Sequence, residues 1–218
     1  MRTIRGMHFK YLFLAAVLGL ATLLVAEFGY KQRWWRGEGA RKLVHMFVGL
    51  QVAVWPLYLD WNEIRMISIV LFVGFVVCMR FKLFQSIGSV ARLTYGEILF
   101  TLVIGALTLV TQSAAIYAAA MLHLSLADGM AALVGTRYGR MTSYQVFGFT
   151  KSVVGSLTFF IISVGILTAY ALLSPHGLSW QLVLVGATLA TFLENIGVLG
   201  TDNLLVPGGI VALLTYAK

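Results

Sequence analysis

Residues 125–156 read SLADGMAALVGTRYGRMTSYQVFGFTKSVVGS. An apolar run enters this stretch carrying Asp128, and a second leaves it directly after Lys151 and Ser152. Between them lie Arg137, Arg140 and the glycines Gly135, Gly139 and Gly148. Two flanking runs of about 20 apolar residues are what a bilayer core about 30 Å thick requires of spanning helices. An acid at the end of one, then a basic glycine-bearing loop, suits a metal-bound polyphosphate.

The rest of the chain repeats the pattern. Of 218 residues, 60% are hydrophobic and only 11% charged, and the mean hydropathy is +0.89. Soluble domains carry about a quarter charged residues. Polar linkers are nearly absent, so residues 1–218 read as one integral membrane domain. The expected fold is all-α, a polytopic bundle with helices near 9–29, 43–59, 64–79, 97–111, 114–135, 153–173, 181–196 and 204–217. The last is short, which makes the expected number seven to eight. Residues 1–26, basic then apolar, lack a small-x-small cleavage pattern and read as a retained first helix.

The formal charge is +8. In a soluble chain that would point to nucleic acid. Here the basic residues sit in connections, where they hold one face against anionic lipid, so no nucleic-acid partner is expected. Segments 31–42, 80–92 and 136–151 carry five, three and three Lys/Arg of the sixteen in the chain. The connections on the other side carry Arg65 alone. The positive-inside rule therefore puts the three basic segments, and with them residues 194–203, in the cytoplasm. That assignment leaves Arg2, Arg5 and Lys10 on the opposite side, against the rule. It also brings Glu97, Asp128, Glu194 and Asp202 to the basic face. The single Cys78 excludes an internal disulfide, and no Cys/His cluster has zinc spacing.

Five groups carry candidate chemistry. An intramembrane carboxylate is costly and by default functional, which singles out Asp128. Ala131, Ala132 and Gly135 follow it along one helix face and suit close helix packing. Lys151–Ser152, with Gly155–Ser156 behind, is expected to open a helix whose free N–H groups suit phosphate. Thr150 stands where a Walker sequence needs glycine, so this is not a P-loop. Arg41, Lys42 and His45 begin the second helix, with Arg41 and His45 four apart on one face. Glu97 opens the fourth helix as metal ligand, arginine partner or dipole cap. Glu194, Asn195, Asp202 and Asn203 form a carboxylate–carboxamide set without Cys or His, which favours a hard cation such as Mg²⁺. His8, Glu27, His123 and His176 show no pattern.

In order along the chain, Arg41-Lys42-x-x-His45, Gly96-Glu97, Asp128-Gly-x-Ala131 with Gly135 and Gly139, Lys151-Ser152-x-x-Gly155-Ser156, then Glu194 and Asp202-Asn203 with Pro207, resemble the polyprenol kinase family. That family includes dolichol kinase, phytol/farnesol kinase and the CTP-dependent diacylglycerol kinase. The resemblance implies phosphoryl transfer from a nucleoside triphosphate, often CTP, to a membrane lipid alcohol, with Mg²⁺ and a cytosolic nucleotide site. It implies catalytic or metal-binding roles for Asp128, Lys151, His45, Glu97, Glu194 and Asp202. Phosphate or nucleotide contacts are implied for Arg41, Lys42, Gly135, Arg137, Gly139, Arg140, Ser152, Gly155, Ser156 and Asn203. The acceptor is expected to be an isoprenoid alcohol, with diacylglycerol as the alternative. A CDP-lipid-forming cytidylyltransferase is disfavoured because the C-terminal glycine-histidine-glycine stretch with paired aspartates is missing. Charges at one face rather than mid-membrane argue against a transporter.

Overall fold

The computed structural model describes residues 9–32, 38–81, 95–175 and 177–217. Among the described residues there are eight α-helices: α1 (Phe9–Lys31), α2 (Glu38–Val54), α3 (Trp61–Phe81), α4 (Gly96–Val110), α5 (Ala114–Tyr138), α6 (Val153–Leu173), α7 (Trp180–Ile196) and α8 (Asp202–Tyr216). Helix α5 is two α-helical segments, Ala114–Leu122 and Asp128–Tyr138, joined by a π-helical turn at His123–Ala127. All eight predicted helices are present. Helix α2 starts at Glu38 rather than 43, and a 3-10 turn at Trp55–Leu57, with Pro56 inside it, replaces its expected last residues. The basic segment 82–94, like Arg2, Arg5, His8, Arg33, Arg36 and His176, lies outside the described residues.

Three of the helices are long and apolar enough to cross a membrane: α1, α5 and α6. Parts of α4, α7 and α8 are apolar but shorter. The outward faces carry rows of large apolar side chains, such as Phe13, Leu20 and Leu24 on α1, Ile69, Val70 and Val73 on α3, and Leu157 and Ile161 on α6. Water would oppose such continuous apolar surface, whereas lipid suits it. Hydroxyls on these helices turn back onto their own backbone, Thr158 Oγ1 to the Val154 carbonyl at 2.8 Å and Thr188 Oγ1 to the Leu184 carbonyl at 2.8 Å. That satisfies a polar group without water.

Helix α5 is the axis of the bundle. It packs against α2, α6 and α8, while α3 lies on α4, α1 on α2, and α7 between α6 and α8. Tyr117, Met121, Leu124 and Ala127 of α5 meet Val52 and Ala53 of α2, Ile104 and Leu107 of α4, Phe159 and Leu167 of α6, and Ile210 and Leu214 of α8 in one core. Where α5 crosses α6, the small-residue stripe does what its composition predicts. A Cβ on Gly155 would lie 3.1 Å from the Ala131 carbonyl and 3.5 Å from Gly135 Cα, so the two backbones meet glycine to glycine.

Candidate active site

The ends of five helices gather at one end of the bundle. Arg41 and Lys42 come from the start of α2, and Asp128 to Gly139 from the last turns of α5 and its exit. Ser152 to Ser156 come from the start of α6, Glu194 from the end of α7, and Gly197 to Asp202 from the turn into α8. Together they line a cavity of about 510 Å³. Arg140, Phe149, Thr150 and Lys151, from the α5–α6 connection, complete its wall.

That connection is not an irregular loop. A 3-10 turn at Arg140–Thr142 leads into an antiparallel hairpin of β1 (Ser143–Val146) and β2 (Phe149–Ser152). Its two-residue turn, Phe147–Gly148, has φ of +47° and +81°, the left-handed pair that lets a tight hairpin follow the twist of its strands. Lys151 therefore lies on β2 opposite Tyr144, directly before the helix that Lys151–Ser152 is expected to open. Ser152 is the N-cap of α6, with its Oγ accepting from the Gly155 amide at 3.1 Å.

Two ion pairs, each between a half-buried lysine and a buried acid, organise the cavity. Lys42 Nζ binds Asp128 Oδ2 across the α2–α5 contact. Lys151 Nζ binds Glu194 Oε1 and, at 2.9 Å, the Glu194 carbonyl at the end of α7. His45 Nε2 stands 4.0 Å from the same Asp128 oxygen and 3.1 Å from the Leu124 carbonyl, with its ring tilted against Phe100 at a centroid distance of 4.2 Å. Asp202 is the third acid of the wall and lies in the electrostatic field of Lys42, Lys151 and Asp128. The lining thus carries four cationic side chains (Arg41, Lys42, Arg140, Lys151) against three carboxylates. Such pairs are weak evidence for stability, because each desolvated ion offsets much of its attraction. Their value here is that both signs of charge are already positioned in a small space.

Most of the sequence-predicted residues meet here: Arg41, Lys42, Asp128, Gly135, Gly139, Arg140, Lys151, Ser152, Gly155, Ser156, Glu194 and Asp202 line the cavity, and His45 touches Asp128 from behind. Two do not. Arg137 is exposed, with its guanidinium 5.6 Å from the Tyr138 ring, and is absent from the cavity wall. Asn203 is buried, and its Nδ2 donates to the Gly96 carbonyl at 2.8 Å, stapling α8 to the start of α4. The same joint includes Gly200, at φ +93°, where a side chain would collide with the Gly96 backbone. Glu97 follows Gly96 in the first turn of α4, and its side chain lies outside the described residues. His123, patternless in sequence, is fully buried in the π turn, its Nδ1 donating to the Ala119 carbonyl at 2.8 Å.

No family model matches the chain, and no solved structure matches it. Two curated proteins do. A phytol kinase of Synechocystis sp. is 35% identical over 213 residues, covering 94% of this chain and 89% of that protein. The chain belongs to the polyprenol/phytol kinase family. A probable phytol kinase 1 of Glycine max, a chloroplastic protein, is 27% identical over 203 residues, covering 81% of this chain and 66% of that one. The cavity described above is thus a cavity of a lipid-alcohol kinase family member, and the motif order that resembled the family converges on it.

For this polyprenol/phytol kinase family member the structure adds a residue that the motifs do not contain. Tyr144 OH lies 2.7 Å from Ser156 Oγ and bonds Asn195 Oδ1, and Ser156 Oγ itself donates to Asn195 Oδ1 at 3.0 Å. This knot fastens the hairpin to α6 and α7 beside Lys151 and Glu194. The alternation of Tyr144 and Val146 before the turn glycine is the signal of a strand that the sequence offers in what otherwise reads as a loop. Tyr144→Phe is expected to lower stability by about 1 kcal/mol, the net worth of one such bond. It is also expected to speed amide exchange at 143–152 selectively, as mass spectrometry of the detergent-solubilised protein would show. Uniform exchange throughout the chain would contradict the assignment.

Proposed function

We propose that this protein transfers the terminal phosphoryl group of a nucleoside triphosphate, CTP first among them, to the hydroxyl of an isoprenoid alcohol of the phytol kind. The observation that carries the reading is the meeting of four cationic side chains and three carboxylates in one cavity at the end of an apolar bundle. Phosphoryl transfer is mostly positioning and charge neutralisation, and this inventory suits it. The phytol kinase relatives support the acceptor class, and the motif resemblance supports CTP. The basic connections on this end favour the cytosolic side.

In this reading Lys42, Lys151 and Arg41 exchange their present partners for phosphate oxygens when nucleotide enters. One or two of the carboxylates among Asp128, Glu194 and Asp202 would then hold Mg²⁺. The donor chemistry fits: all-oxygen ligands are those of a hard divalent cation. Among the described residues no three His, Cys, Asp or Glu side chains are grouped closely enough to enclose a metal alone. A cation held by one or two carboxylates, with nucleotide phosphates and water supplying the rest, is the usual mode for Mg²⁺. When bound, it would neutralise charge building on the phosphate oxygens. The alcohol oxygen attacks the terminal phosphorus, the bond to the bridging oxygen breaks, and the hydroxyl proton leaves to a cavity carboxylate or water.

The test is a thin-layer assay of purified protein with labelled CTP and ATP against phytol, farnesol, geranylgeraniol, a long polyprenol and diacylglycerol. Phosphorylated phytol with nucleoside diphosphate is the expected product. A CDP-lipid with pyrophosphate would overturn the reading in favour of cytidylyl transfer.

A further inference from the structure

The π turn at His123–Ala127 lies immediately before Asp128, and its surroundings are built rather than incidental. Each residue of an α-helix turns the chain by about 100°, so a turn holding one extra residue reorients everything after it by that amount. Continued as plain α-helix from Leu122, α5 would swing Asp128 away from α2 and break the Lys42 pair. Three side chains meet the carbonyls of the widened region. His123 Nδ1 donates to Ala119 at 2.8 Å, Ser125 Oγ donates to Met121 at 2.7 Å, and His45 Nε2 faces Leu124 at 3.1 Å. The first two come from α5 itself. Only His45 comes from the neighbouring helix.

Helix α2 meets this region along one face. Lys42 pairs with Asp128, His45 reaches the Leu124 carbonyl, and Met46 covers Gly129. Gly49 admits Ser125, since a Cβ there would lie 2.8 Å from Ser125 Oγ. A carbonyl only accepts, so the His45 Nε2 that binds Leu124, the ring nitrogen 4.0 Å from Asp128, carries a proton and cannot receive another, which leaves Nδ1 alone able to act as a base. We propose that His45 is a positioning residue and not the proton acceptor: by donating to the π turn's Leu124 carbonyl it fixes the rotation of α5 that points Asp128 into the cavity. The kinetic half of its test rests on the kinase reading; the structural half does not.

His45→Phe keeps a ring against Phe100 and removes the donor. His45→Gln places an amide N–H where Nε2 stood and offers no base. Misplacing a catalytic group by about 1 Å costs on the order of 100-fold, so His45→Phe is expected to lower kcat by about that factor with KM for both substrates little changed. His45→Gln is expected to recover most of the loss, to within about tenfold of the unaltered protein. A glutamine variant as inactive as the phenylalanine one would restore His45 as the base and overturn the proposal. The second readout needs no activity. A Cβ on Gly129 would lie 3.3 Å from Met46 Cβ, close to disulfide spacing of about 3.5–4.5 Å. Met46→Cys/Gly129→Cys in a Cys78→Ser background is therefore expected to oxidise readily. Adding His45→Phe, or His45→Leu should the first variant not fold, is expected to slow cross-linking severalfold, and adding His45→Gln is not. Equal rates in all three would overturn the proposal. If the unaltered protein phosphorylates no alcohol at all, the kinase reading fails while the cross-link still decides the role of His45.

Discussion

Asp128→Asn is expected to lower kcat for phosphoryl transfer by about 10³-fold, the largest single effect in the molecule, because several kcal/mol of charge stabilisation at about 1.4 kcal/mol per decade amounts to that factor. The substitution keeps the volume of the side chain and an oxygen for Lys42, so the bundle stays closed. What it removes is the negative charge between α2 and α5. Asp128 is only 7% exposed and is already held by Lys42, so its charge is fixed in position before any ligand arrives. Asp128→Glu separates charge from placement. It restores the carboxylate one methylene further out, where Lys42 and His45 no longer meet it on the same terms, and is expected to recover part of the rate. The measurement is kcat and KM on monodisperse protein with thermal unfolding alongside. An asparagine variant with full activity and an unchanged melting temperature would remove Asp128 from the centre of the mechanism.

The bundle was legible in sequence because lipid leaves few choices. Backbone polar groups must be satisfied within each segment, so apolar runs become helices and charges mark their ends. Counting Lys/Arg by connection brought Lys42, Asp128, Lys151, Glu194 and Asp202 to one face, and they do line one cavity. What escaped was set by tertiary partners. Lys151 reads as a helix-opening lysine because Ser152, Gly155 and Ser156 follow it, and it does precede the cap of α6, but the hairpin that leads it there exists only by pairing with itself. The π turn is invisible in the run His123-Leu-Ser-Leu-Ala127, since it depends on Gly49 making room for Ser125 on another helix. Asn203 and Arg137 are of residue types that suit a ligand, but their partners lie elsewhere. A carboxamide at a helix start can bind a ligand or brace a neighbour, and the Gly96 carbonyl takes this one.

The pair Lys151–Glu194 gives the second large effect, and its variants should divide stability from catalysis. Lys151→Met removes the cation that β2 holds over the cavity and leaves Glu194, 7% exposed, without its partner. Breaking one side of a buried pair costs about 3–5 kcal/mol, whereas removing both charges often costs little. Lys151→Met is therefore expected to be markedly less heat-stable, and Glu194→Gln to be destabilised by less because Gln still accepts from Lys151. The double variant Lys151→Met/Glu194→Gln is expected to regain most of the melting temperature. Activity should not follow. A lysine–phosphate contact within a desolvated site contributes about 2–5 kcal/mol, so kcat/KM for the nucleotide is expected to fall about 10²–10³-fold in every variant lacking Lys151, rescued fold or not. Glu194→Gln alone tells whether the acid does more than hold the lysine. A loss confined to KM for the nucleotide would make Glu194 a support for Lys151. A loss in kcat that added divalent cation partly reverses would make it a ligand. Recovery of activity together with stability in the double variant would mean that the pair only closes the bundle, and the phosphate would then have to be met by Arg41, Lys42 and Arg140, the other cations of the same wall.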